Sequence, residues 1–451
     1  MRDVVVFLLF ATLLPACFLR PWFGLMTFTW LAYNRTQDLT WGFARSLPIS
    51  QFVTLAMLAG WVMWEFRPIL GRDPRLRAMV ALVLLIGVSM LASSLRVELV
   101  LDRYLELVKV ILVALLTAAL LINRQRLRQF GVVVSLALGF YGVKSGLFFL
   151  VGGGTLNGPG GMLLDNNDFA LANTMNLPFL WYVSYDVADL RYGRALKVLM
   201  RVAFFFTILT IMSTGSRGGF LAMSVTLLIM AMKTRFKVPA LVGIFLVGLL
   251  ALLLAPPEYI ERLRSIGRAS EDASAQARFI SWQVAANMIK AHPVLGIGFQ
   301  NMLFEFPRYL TGVYIPEGTK VIENHVAHNS YLQIWAESGT LAYLVFMFML
   351  VSTITRMRRV TKAVKGTDEE WASCYSRAIE VTFYGYMIGA TFLNRAHFDL
   401  VYQLIAVGVA LPGIVLVERG RAANRRRRAG PAPAQRVWVR HADPFVKLPG
   451  S

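Results

Sequence analysis

Apolar residues run in long unbroken blocks along most of the chain, separated by short polar connections. The blocks fall near 3–33 (interrupted), 50–66, 78–95, 105–122, 130–151, 169–188, 198–213, 216–232, 238–256, 329–355, 375–393 and 400–417. Most approach the length that carries an α-helix through the hydrocarbon layer of a bilayer. Their apolar positions are continuous rather than alternating, which argues against a transmembrane β-barrel. The pattern predicts an all-α polytopic membrane protein. Block 3–33 holds Pro15 and Pro21 and reads as one broken crossing, giving about twelve transmembrane helices with both ends on one side. A hairpin there would move only the N-terminus. The opening MRDVVVFLLFATLLPAC has features of a leader peptide, but ahead of so many spans it reads as an uncleaved first helix.

The polar connections orient the bundle. One alternating set is basic: Arg67, Arg72, Arg75 and Arg77; Arg124, Arg126 and Arg128; Arg191, Arg194 and Lys197; Lys233, Arg235 and Lys237; and Arg356 to Lys365. The other set is poor in cations; segment 152–168 has none. The positive-inside rule puts the basic set, and the tail ERGRAANRRRR at 418–428, in the cytoplasm. One connection, about 257–328, is far longer than the rest and falls outside, and long connections in compact proteins are usually functional. Within it SAQARFISWQVAANMIKAHP carries Phe279, Trp282, Val284, Ala285, Met288 and Ile289 at helical spacing and stops at Pro293. Four regions follow: 1–256 with about nine crossings, the helical outer loop 257–328, 329–417 with three crossings, and the basic tail 418–451.

The net charge of +20 changes little in this picture. The cations sit in the orienting connections rather than on a nucleic-acid-binding face, so no nucleic-acid partner is expected; the bilayer is the first partner. Cys17 and Cys374 are far apart, beside apolar runs, and read as small hydrophobes.

Candidate chemistry gathers on the outer side. Arg217 starts a crossing in MSTGSRGGFLAM, Arg278 lies on the loop helix, and His328 opens the crossing at 329. Gly215, Gly218 and Gly219 would leave room for a bulky ligand beside Arg217. Arginine grips phosphate through two parallel hydrogen bonds. A histidine at a helix N-terminus feels the positive end of the dipole and stays neutral, able to accept a proton. Two cations and a neutral base at a membrane surface suggest transfer from a lipid-linked phosphate to a hydroxyl. Asn329 would orient the ring or bind substrate, and His325 would shape the site. The plainer readings are a snorkelling Arg217, a solvated Arg278 and a His328 that merely caps its helix.

Lys109 and Lys144 fall inside apolar runs, where a buried cation is costly and thus a functional candidate; Lys109 has Glu380 as a possible partner. Asp165, Asn166, Asn167 and Asp168 offer hydrogen bonds to sugar hydroxyls. His292, before Pro293, reads as structural, and His397 is a further outer-face candidate. The loop has neither DxD nor HxxxH, so no metal and no cofactor are expected. A transporter or flippase would show internal repeats and charges near the midplane; neither stands out. A structural partner in an export machine is a third class.

"HNSYLQIWAESG" resembles the H-[NSQ]-x9-G signature of the bacterial O-antigen ligase and O-antigen polymerase superfamily, here His328, Asn329 and Gly339. The signature continues G-x-x-[GTY], and this chain has Ala342 at the last place. "STGSRGGFLA" resembles the family's arginine motif. "ARFISWQVAANMIKAHPVLGIGFQNM" resembles its loop helix, with R-x3-W at Arg278 and Trp282 followed by HPxxGxG. RPWFGLMTFTWLAYNRTQDLTWGFARSLP is similar to a subfamily found beside exosortase systems and labelled an O-glycosylation ligase, although Asn34-Arg35 replaces its asparagine-proline pair. The resemblance implies a metal-independent glycosyltransferase of the C type in the bacterial inner membrane, its site facing the periplasm. It implies a donor glycan on undecaprenyl pyrophosphate and, as acceptor, lipid A core, a protein, or a second lipid-linked repeat. Arg217 and Arg278 would then hold the pyrophosphate and His328 would activate the acceptor hydroxyl. Ligase and polymerase readings both remain open.

Overall fold

The computed structural model describes residues 2–36, 42–45, 47–71, 73–93, 97–151, 158, 160, 163–253, 273–315 and 325–429. Parts of the long connection (254–272 and 316–324), most of the turn 152–162 and the tail from 430 lie outside them. Within the described residues the regular elements are helices, with no strand. In chain order they are α1 (Arg2–Leu19), α2 (Pro21–Asn34), α3 (Ile49–Trp64), α4 (Pro74–Ala92), α5 (Glu98–Leu120), α6 (Arg124–Leu150) and α7 (Asn166–Asp186). Then come α8 (Gly193–Ser213), α9 (Arg217–Lys233), α10 (Lys237–Leu253), α11 (Ala273–Ala291), α12 (Ser330–Val364), α13 (Ala372–Gly389) and α14 (Asp399–Ala429). Among the described residues α4, α6, α8, α12 and α14 are long and apolar enough to cross a membrane, while α1, α3 and α10 are shorter apolar helices.

The block 3–33 is a hairpin rather than one broken crossing. Pro15 stays inside α1, and the break comes at Arg20, where Pro21 starts α2 with the fixed φ that suits a first helical position. The Asp3 carboxylate accepts from the backbone N–H of Gly42 and Ala44 at 2.9 and 3.1 Å. Phe18 meets Trp64 at the opposite end of α3. The start of α1 and the end of α2 therefore lie at the same end of the bundle. Further along, α6, α7 and α8 pack together, α13 lies against α7 and α9, and α12 lies against α4 and α13. Small residues permit the closest approaches. A β-carbon at Gly146, one turn from Gly142 on α6, would fall 2.5 Å from the Phe206 carbonyl oxygen of α8.

One end of the bundle is a lattice of paired charges. Asp186 takes Arg124 at 2.5 Å, Arg128 at 3.0 Å and the Tyr375 hydroxyl at 2.7 Å. Arg126 meets Glu65 at 2.7 Å, and Glu380 is shared by Lys233 and Arg358, both at 2.9 Å. Pairing offsets the cost of burying these carboxylates. It also corrects the pairing expected for Lys109: Glu380 is engaged elsewhere, and Lys109 is exposed on α5. Lys144 is likewise exposed, its ammonium 5.9 Å from the Tyr141 ring centre, so the buried-cation argument does not apply to it.

The other end carries the long connection. Ile280, Val284, Ala285 and Met288 of α11 form a small core with Ile297, Met302, Phe306, Ala327 and Ala336. Phe279, expected on that face, points outward instead, 54% exposed. This core is seated on α12 by a break in the helix. Gly339 has φ 80° and ψ 175°, a region open in practice to glycine. The strap 293–298 uses the opening: Ile297 N–H donates to Ala336 O at 2.9 Å, Gly298 N–H to Glu337 O at 3.0 Å, and Thr340 N–H to Pro293 O at 2.9 Å.

Candidate active site

His328 lies just ahead of α12, and its neighbours pin it from both sides. Asn329 is the N-cap; its side-chain oxygen accepts from the N–H groups of Tyr331 and Leu332 at 3.0 and 3.1 Å. The Trp282 indole N–H of α11 donates to Ala327 O at 2.9 Å. From the other side, Asn329 N–H donates to Asn394 Oδ1 at 3.1 Å, and Arg395 N–H donates to Ser330 Oγ at 2.8 Å. Between these clamps His328 takes φ 45°, a left-handed backbone that is uncommon outside glycine. Its ring meets that of His325 edge to face, 5.1 Å between centres. Asn329 thus caps α12 through its side-chain oxygen.

His328 is pushed down to about 4, first by burial, then by His325 and Arg278, with Asp165 opposing them. His325 is lowered by burial and by Arg278. Neutrality was expected from the helix dipole; burial and neighbouring cations are the larger causes. The same interactions bring Arg278, His325, His328 and Asp165 into one neighbourhood. Spacing explains Arg278: it lies one turn before Trp282, the residue that ties α11 to Ala327.

Arg217 reaches this end by a different route. It is the first residue of α9, whose N-cap Ser216 accepts from Gly219 N–H at 3.0 Å. The Ser216 hydroxyl donates to Asn167 Oδ1 at 2.7 Å, and Asn166 donates to Thr214 O at 2.9 Å. Asn167 N–H and its side-chain amide in turn donate to Asp165, at 2.8 and 3.0 Å. Asn166 and Asn167, expected to meet sugar hydroxyls, therefore lock α7 to the turn before Arg217. The glycines also differ from expectation. A β-carbon at Gly219 would fall 2.4 Å from Ala170 Cβ, and one at Gly218 would fall 2.9 Å from Phe392 Cβ. They serve close helix packing; Gly215, at φ 62°, makes the turn.

Arg395 and the Asp168 carboxylate form a two-pronged ion pair that sequence reasoning did not single out. Arg395 is the one cation of the connection 394–399, and a lone arginine in a cation-poor outer turn was the available signal. His397 sits in the same turn, its ring 5.2 Å from Phe299 and its Nε2 buried with no hydrogen-bond partner. Burial and Arg395 push it down to about 4. It packs on Phe299 rather than on the His325–His328 pair. His292 is exposed in its turn and accepts from Gly296 N–H, as a structural residue would.

Three capped helix N-termini, those of α7, α9 and α12, thus point their positive dipole ends toward this end of the bundle. Arg217 starts one of these helices, and Arg278 acts on the neutral His328 ring. The described residues contain no group of three His, Cys, Asp or Glu side chains able to hold a metal ion.

The family described as O-antigen ligase matches residues 202–347, the span that holds Arg217, Arg278, His325 and His328. A family of unknown function (DUF5935) matches residues 1–177. Among curated proteins none matches the chain. The arginine, loop-helix and histidine motifs all lie inside the span 202–347, so these residues are similar to the O-antigen ligase family in the part of the chain that carries the candidate site.

Proposed function

We propose that this membrane protein transfers a glycan from undecaprenyl pyrophosphate to an acceptor hydroxyl at the periplasmic face of the bacterial inner membrane. In this reading α1–α10 and α12–α14 all cross the bilayer, the lattice of paired charges is cytoplasmic, and α1 starts in the periplasm. Arg217 and Arg278 hold the pyrophosphate, aided by the three helix N-termini. The acceptor oxygen attacks the anomeric carbon and its proton passes to His328. The bond from that carbon to the pyrophosphate oxygen breaks, and lipid pyrophosphate leaves. Pyrophosphate is already a good leaving group, so fixed cations suffice to stabilise it and no metal enters the scheme.

The observation that supports the reading most is the setting of His328: a left-handed backbone clamped by Trp282 and Asn394, with a neutral ring beside Arg278. The ligase and polymerase readings differ only in the acceptor. The test compares two variants in transfer rate and in donor binding. His328→Ala is expected to lose roughly a hundredfold or more in rate while still binding the lipid donor. His325→Ala is expected to keep substantial activity. The reverse pattern would move the base to His325, and a His328→Ala variant that no longer binds donor would make its role grip.

A further inference from the structure

A cavity of about 120 Å³ opens between α2, the first turn of α3 and the turn that leads into α14. Phe28, Tyr33, Arg35, Ser50, Phe398 and Asp399 line it, so aromatic and apolar walls alternate with a cation, a carboxylate and hydroxyls. One water needs roughly 10–15 Å³ of such space, so the cavity has room for several waters or a sugar ring. Two polar atoms on the first turns of α14, one of them on a lining residue, are unsatisfied. Asp399 Oδ1 is buried with no partner, and so is Gln403 Nε2, one turn further along α14. Gln403 is 1% exposed, and its Oε1 already accepts from the hydroxyl of Tyr33. An acceptor and a donor left unpaired at helical spacing are costly unless something completes them.

Two stretches that line the cavity are close in sequence to residues of the candidate active site. Leu163, another lining residue, is two positions before Asp165, which acts on His328. Phe398 and Asp399 follow directly on the turn whose Asn394 and Arg395 hold the start of α12. We propose that this cavity binds a hydroxylated sugar ring of the acceptor, with one of its hydroxyls donating to Asp399. The inference rests on the glycosyl-transfer reading above and narrows it: the acceptor is a glycan rather than a protein hydroxyl. It also gives residues 1–177 a task, since α2 and α3 supply one wall.

The test offers three acceptors to the purified full-length protein with one lipid-linked donor: lipid A bearing its core oligosaccharide, a lipid-linked repeat unit, and a serine-containing peptide. Asp399→Asn is expected to raise KM for a glycan acceptor about tenfold, the size of one lost hydrogen bond to a charged group, and Ser50→Ala, at a neutral lining residue, roughly fivefold. KM for the donor should stay unchanged. Which glycan responds identifies its source. Should Asp399→Asn fail to fold, Ala32→Phe, at another lining position, fills the cavity and should give the same acceptor-specific effect. Transfer to the peptide alone, or unchanged acceptor KM in the variants, would overturn the inference; a cavity holding only water gives the latter result. Absence of transfer from the wild-type protein to all three would instead count against the glycosyl-transfer reading itself.

Discussion

The sharpest prediction concerns pH. His328 is held down to about 4 by burial, His325 and Arg278. The proposed chemistry uses the neutral ring, so activity must fall as pH drops through the histidine's value in the folded protein. At pH 5 a group titrating at 4 is roughly nine-tenths neutral, whereas an ordinary histidine near 6.5 is only about one-thirtieth neutral, a difference of about thirtyfold. The doubly substituted pyrophosphate keeps its charges across this range, and the acceptor hydroxyl does not titrate there. The assay is transfer by purified protein in liposomes, read as kcat/KM for the donor from acid to neutral pH, because that ratio reports the free enzyme. Its acid limb should fall well below pH 6. A second feature follows from the neighbours. The bound pyrophosphate puts negative charge against Arg278, weakening a cation that depresses His328. The limb in kcat should therefore lie higher than the limb in kcat/KM, bringing the base closer to the working pH. His325→Ala removes the second cause of the depression and should raise the kcat/KM limb modestly. A limb centred at 6.5 or above in the wild-type protein would refute the reasoning.

The remaining predictions are simpler. Arg217→Ala and Arg278→Ala should each cut transfer severely while the protein still reaches the membrane, and Arg217→Lys should recover only part because it keeps the charge without the two-pronged grip; full activity in both alanine variants would return these residues to a structural role. Gly339→Ala places a β-carbon 1.9 Å from Val294 O in a backbone region that costs a non-glycine residue about 1–3 kcal/mol. It should lower the thermal midpoint in detergent and lower transfer with it, and an unchanged midpoint would show that the strap 293–298 does not depend on the break. Reporters fused at the N-terminus and near Gly312 should lie on one side of the membrane and a reporter at Lys237 on the other; an N-terminal reporter in the cytoplasm would contradict the α1–α2 hairpin.

What the sequence made legible was local. Apolar blocks marked the helices, and an N-cap, a turn glycine or R-x3-W spacing involves residues within a turn or two of each other. Contacts made across the bundle were not legible. Asp3 reaches Gly42 and Ala44, and Phe18 reaches Trp64; these ties show 3–33 to be a hairpin. Asp168 and Arg395 are 227 positions apart, and neither announces the other. Lys109 looked buried because its neighbours are apolar, but a helix within lipid has an outward face as apolar as its inward one, so hydropathy cannot tell them apart. The glycines around Arg217 were read as space for a ligand because absence of a side chain looks the same whether a ligand or another helix fills the gap. Ala170 and Phe392 fill it.

Two unusual backbone positions, His328 just ahead of α12 and Gly339 within it, explain how a long connection can carry part of the candidate site. Arg278 belongs to the loop and His328 to the start of a helix in the bundle, so their relation depends on how the loop is anchored. Two anchors are visible. Trp282 holds Ala327 directly. Eleven positions beyond His328, the break at Gly339 lets the strap 293–298 hydrogen-bond to carbonyls that an unbroken helix would use itself. The loop is thus tied both at the residue before the histidine and two turns further along the same helix, and Arg278 moves with α12 rather than independently of it. The left-handed φ of His328 fits this arrangement. It turns the chain sharply between the Trp282 tie and the Asn329 cap, leaving the imidazole projecting where neither bond uses it. The signature from His328 to Gly339 accordingly spans two parts of one device: the proposed base at one end, and at the other the break that seats the connection carrying Arg278.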